Sequence, residues 1–261
     1  MKKIKNNRIC FLMMIMIAGL ATVSCKKKDD AATPATPTGT LMFHLHTNVD
    51  TNEVDDYNTV YNISDGRRIS VSKAQLYISN IQLIKFDGST YSVPNTIVYK
   101  VQETEPYTIG QVPVGNYKSV SFFVGLDSTT NRSTPAAADS ALNQPSMWYG
   151  STAQPKGYIF LNFQGSIDTS TTPSSTAALM PFNYLLGTSA AYKQVTMPVQ
   201  NYSVVQNQTQ FVHMIIDYNK LFTGIQLNNL NNLTLVTPSD NGNSLGTKLA
   251  NNIPSMFSYE Y

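Results

Sequence analysis

Residues Leu41–His46 read LMFHLH, with large apolar side chains at every second position. At the period of two of an extended chain, Leu41, Phe43 and Leu45 share one face of a strand, and Met42, His44 and His46 share the other. The same habit recurs downstream. Ile69–Phe86 is a long strand candidate with Leu76, Ile78, Ile81, Leu83 and Ile84 set among polar residues, and Asp87-Gly88 turns it into Tyr91–Val93. Further strands are expected at Ile97–Val101, at Tyr117–Gly125 after the turn Pro113–Asn116, and at Tyr158–Phe163, Tyr192–Pro198 and Phe211–Asp217. Helical patterns are scarce and short, at Ala136–Leu142, Asp217–Phe222 and Lys248–Asn252. The expected fold is all-β, an antiparallel sandwich with long loops and few short helices.

Composition agrees. Of 261 residues 42% are hydrophobic and only 13% charged, with 15 tyrosines and a single tryptophan. Strand formers and small polar residues suit a β-rich extracytoplasmic protein. The polar stretches Asp127–Tyr149 and Asp168–Ala178 are the two long loops, and loops of that length are mobile or functional.

Upstream of Leu41 the chain reads as address and tether. MKKIKNNR precedes an apolar run from Ile9 to Leu20, too short to span a bilayer and suited to a cleaved signal over residues 1–24. Cys10 leaves with that signal, so Cys25 is the one remaining thiol and no internal disulfide forms. Cys25 follows Ala-Thr-Val-Ser, which resembles a bacterial lipobox, with Thr22 where leucine is usual. Acyl chains on Cys25 would anchor the protein to a membrane. The following KKKDD resembles the surface-export signal of Bacteroidetes-type lipoproteins, and AATPATPTGT continues as an extended tether to residue 40. Residues 41–261 are expected as one domain, on an outer-membrane lipoprotein that is periplasmic or surface-exposed.

Charge excludes one class of partner. Without Lys2, Lys3, Lys5 and Arg8 of the leader, 14 bases face 16 acids, a net of −2; without Lys26–Asp30 as well, 11 face 14, a net of −3. No basic field remains to hold nucleic acid.

Catalytic signatures are absent: no phosphate loop, GxSxG elbow, HExxH or CxxC occurs. The chain is read as a binding protein and not an enzyme; a hydrolase would need a cleft pairing a histidine with a carboxylate. Only three histidines exist. His44 and His46 project from one strand face with Cα atoms about 7 Å apart. Metal–nitrogen bonds of about 2 Å let two such imidazoles converge on one ion. His213 lies in FVHMIID; if that strand neighbours the first, three nitrogens meet, a set suited to copper or zinc. A plain polar strand face would also carry this pattern. Asp55-Asp56 and Glu103/Glu105 read as solvated loop charges. Tyr57, Tyr61, Tyr107, Trp148, Tyr149 and Tyr158 are candidates for a stacking platform, which makes the alternative a metal-free surface module for glycan or protein.

Several segments in order resemble the MbnP-like family, extracytoplasmic proteins named for a copper-binding partner of methanobactin systems. They are FHLHTNVD, SVSKAQLYISNIQLIKFDG, PVGNYKSVSFFVGLDSTTN, SMWYG with GYIFLNFQG, HMIIDYNKLFTG and LANNIPSMFSYEY. The resemblance implies a β-sandwich binding a copper ion through histidines, with a tryptophan oxidised in some members by a partner haem enzyme. His46 matches the family's first-strand histidine, His44 is an extra one, and Trp148 lies in the tryptophan-bearing region. Two departures stand out. Gly150–Pro155 lacks the second tryptophan, and FNYLLG puts Leu185 where the family has a histidine.

Overall fold

The computed structural model describes residues 36–134, 141–151, 154–174 and 176–260. The expected signal over 1–24, Cys25, the tether as far as residue 35 and most of the helix expected at Ala136–Leu142 lie outside the described residues. The principal strands are β1 (Thr38–Val49), β2 (Arg68–Lys85), β3 (Pro106–Pro113), β4 (Gly115–Val124), β5 (Gln154–Asp168), β6 (Leu179–Gly187), β7 (Thr209–Asp217) and β8 (Phe257–Tyr259). One sheet runs β8-β7-β1, with β3 and the short strand Asn52–Glu53 also paired to β1. The larger sheet is built on Lys193–Thr196, β4, β2, β5, β6 and Thr234–Leu235, with short strands added at its margins.

β1 alternates as its sequence requires. Leu41, Phe43 and Leu45 are fully buried, while His44 and His46 take the outer face. The buried face packs on the second sheet: the Phe122 ring of β4 lies 6.2 Å from Phe43 of β1 and 5.1 Å from Phe257 of β8. Aromatic pairs at these separations fill the space between two facing sheets. At the end of β4, Gly125 takes φ +104°, and a Cβ there would stand 2.4 Å from Phe160. Only glycine admits both the backbone and the ring.

The all-β sandwich is as expected, and two of its pairings are parallel. β1 and β7 run side by side from Thr40↔Thr209 to Asn48↔Asp217, and β6 pairs in parallel with Thr234–Leu235. A parallel pair needs a long crossover, and for β1 and β7 nearly the whole intervening chain supplies it. The domain also begins earlier than expected. β1 starts at Thr38, so residues 38–40 belong to the sheet and not to the tether.

Among the principal strands, β3, β6 and β8 lie outside the sequence expectation. β3 is bounded by prolines and only weakly alternating, whereas β6 buries Phe182, Tyr184 and Leu186 in alternation. The helix at Lys248–Asn252 is longer than expected: α1 covers Ser244–Asn252, with the Asn243 side chain accepting from the Gly246 amide at 2.8 Å. Tyr218–Phe222 is a 3₁₀ turn capped by Asp217. Among the described residues no helix is long and apolar enough to cross a membrane.

Candidate metal centre

The parallel register places His44 directly opposite His213. The His44 ring centroid lies 4.8 Å from His213 and 4.5 Å from His46. His44 Nδ1 and His46 Nε2 approach to 2.8 Å, so one of them donates a proton to the other. The three histidines are therefore gathered on one face by β1 and β7, as the spacing of FHLH and FVHM allowed.

Three carboxylates close around them, each placed by backbone pairing. On one edge of β1, the turn after Val49 brings back Asn52–Glu53, with Asn48 opposite Glu53, and Glu53 accepts from His46 Nδ1. On that edge also, the Leu45 amide donates to the Glu105 carbonyl at 3.0 Å, which sets Glu105 Oε2 3.3 Å from His44 Nε2. On the far side, β8 pairs antiparallel with β7, and the Glu260 amide bonds to the His213 carbonyl at 3.3 Å. Glu260 Oε2 then lies 3.2 Å from His46 Nε2 and 3.2 Å from His213 Nδ1. One donor atom from each of His44, His46, His213 and Glu260 falls within 4.8 Å of the others. Glu105 corrects the reading of Glu103/Glu105 as solvated loop charges: the strand start at Pro106 folds it onto His44.

Access and electrostatics differ across the cluster. His46 is the most enclosed, with 12% of its side chain exposed, against 47% for His213. Burial, reinforced by the neighbouring His46 and His213, lowers the His44 pKa below its usual value. Burial pulls His46 down as well, but the hydrogen bond to Glu53 and the charges of Glu260, Glu53 and Glu105 outweigh it and raise its pKa. Beside the site, the Lys100 ammonium is buried and donates to the Val101 and Thr104 carbonyls at 2.8 and 3.0 Å, which holds the loop leading to Glu105. Burial pushes its pKa down to about 8.

Trp148 is elsewhere. It starts the short strand Trp148–Ser151 paired to β5, and its ring meets Tyr158 edge-on at 4.4 Å. Trp148, Tyr149 and Tyr158 are all buried, and Tyr57, Tyr61 and Tyr107 pack partly buried against the core. These six aromatics therefore stabilise the interior and do not form a surface platform.

A family model described as MbnP matches residues 38–237. The chain belongs to the MbnP family. Among solved structures, MbnP from Methylosinus trichosporium is similar at 13% identity, with a TM-score of 0.47, over 71% of this chain and 78% of that one. No curated protein matches the chain. In this MbnP-family chain Leu185 sits on β6 opposite Asn162, and its carbonyl accepts from the Tyr149 hydroxyl. Leu185 and Trp148 are thus both on strands paired to β5, whereas the histidines lie on β1 and β7. Glu53, Glu105 and Glu260 were not singled out as site residues from sequence. Glu53 carried a signal, since NVDTNE after a strand suggests a tight return to the histidine face.

Proposed function

We propose that this MbnP-family protein is a non-catalytic, lipid-anchored extracytoplasmic protein that binds a copper ion through His44 Nδ1, His46 Nε2, His213 Nδ1 and a Glu260 carboxylate oxygen. The observation that carries the reading is that one donor atom from each of these four residues, on β1, on β7 and just after β8, lies within 4.8 Å of the others. Metal–nitrogen bonds of about 2.0–2.1 Å put neighbouring donors about 3.0–3.4 Å apart. The separations of 2.8 Å for His44–His46 and 3.2 Å for the His46–Glu260 and His213–Glu260 pairs are close to that span. Imidazole with one carboxylate suits copper and zinc alike, and family membership favours copper. When bound, the ion would be carried and kept from free solution; the protein supplies donors and charge.

Purified protein exposed to copper should hold a single ion per chain by metal analysis, and His46→Ala should abolish uptake in titration calorimetry. Copper-free protein, or unchanged binding in that variant, sinks the reading. The donor set is complete without Trp148, so Trp148→Phe should retain uptake. A haem-enzyme partner, implied by the resemblance, would have Trp148 as its target. The anchor rests on Cys25 and the lipobox-like Ala-Thr-Val-Ser, which support an outer-membrane lipoprotein, periplasmic or surface-exposed. Cys25→Ala should move the protein from the membrane fraction to the soluble one.

A further inference from the structure

We infer that Glu53 and Glu105 are positioning residues that fix the imidazole tautomers and bias the site toward divalent over monovalent ions. The inference rests on the metal-binding reading above and concerns two residues that lie behind the donors. Each histidine of β1 has one nitrogen facing the convergence point and one facing a carboxylate. His46 donates through Nδ1 to Glu53, which leaves its Nε2 lone pair toward His44 and Glu260. His44 presents Nε2 to Glu105 at 3.3 Å, which leaves Nδ1 inward. The two rings are used through opposite nitrogens, and each choice is made by the carboxylate behind it. A histidine whose outer N–H is held this way is locked in orientation and made a stronger donor.

Charge gives the second half. Neutral imidazoles contribute none, while Glu53, Glu105 and Glu260 place three negative charges around one point. The attraction scales with ion charge, so a divalent ion gains twice what a monovalent ion does. Both outer carboxylates are roughly two-fifths exposed, at 43% and 39%, so water screens part of this effect without cancelling it.

The test uses two substitutions and two readouts. Nitrogen-15 NMR at alkaline pH, where the rings are neutral, should find His46 protonated at Nδ1 in the metal-free protein, with His44 Nδ1 donating to His46 Nε2, and His44 protonated at Nε2 once zinc takes the inward nitrogens. Glu53→Leu should mix the His46 tautomers; an unchanged tautomer overturns the positioning role. The double variant Glu53→Gln/Glu105→Gln keeps an acceptor at each position and removes the charge. Its zinc affinity should fall about 10–100-fold, and its anaerobic Cu(I) affinity by a clearly smaller factor. Equal losses for the two ions overturn the divalent bias. If the unmodified protein takes neither ion, the metal reading itself is lost, and the His46 tautomer still decides whether Glu53 positions its ring.

Discussion

His46 is engaged at both ring nitrogens, by Glu53 on one side and by His44 and Glu260 on the other. Its raised pKa means that a proton competes with the ion, so copper affinity should fall as pH is lowered, with the decline starting above the usual histidine value of about 6.5. Calorimetry across pH 5–8 checks the sign, and affinity that is flat or rises on acidification contradicts it. For the metal-free protein the sign is opposite. A histidine whose folded pKa is raised stabilises the fold fully below its unfolded pKa, and that contribution is lost as pH rises through the folded one. Glu260→Gln and His213→Ala should each weaken binding beyond the roughly 10–100-fold typical of residues behind the donors. At this scale the histidines were legible, because three in 261 residues at strand spacing leave few arrangements. The carboxylates were not, because exposed loops carry many and only tertiary pairing selects Glu53, Glu105 and Glu260.

Individual elements hold the site by burying its opposite face. Phe43, next to His44 on β1, is fully buried against Phe122, and Phe43→Ala should cost about 3–5 kcal/mol in denaturant unfolding. The end of β5 shows a different device. The buried Asp168 carboxylate accepts from the Ser170 and Ser174 amides at 2.8 and 2.7 Å, and Arg67 bonds the Asp168 and Ser170 carbonyls beside it. Burial by itself would raise this carboxyl, yet the hydrogen bonds and Arg67 hold it down at about 2. Its stabilisation is present above the unfolded value of about 3.9 and is lost as pH falls toward 2. Melting curves between those limits should show a smaller pH dependence in Asp168→Asn than in the parent protein. The Ser- and Thr-rich stretch after Asp168 was legible as a loop, but its anchor on Arg67 was not, since the two residues are a hundred positions apart in sequence.

Across the whole molecule, the proposed centre joins the beginning of the folded chain to its end, with His44, His46 and Glu53 on one side and His213 and Glu260 on the other. An ion held there binds the folded chain and not the unfolded one, so at 100-fold excess over its dissociation constant it should stabilise the protein by about 2.7 kcal/mol. Copper should therefore raise the Tm of the parent protein and leave that of His46→Ala unmoved; an equal rise in both would mean the ion binds elsewhere. The strand-rich architecture and the face of β1 that carries the histidines were readable from the residues alone, because side-chain alternation is a local property of an extended chain. An ordered set of short segments also carried the family resemblance. The parallel pairing of β1 with β7, His44 opposite His213, and the choice of carboxylates around them emerge only in the folded molecule. Register between distant strands is set by how two apolar faces share one core, and no local pattern encodes that.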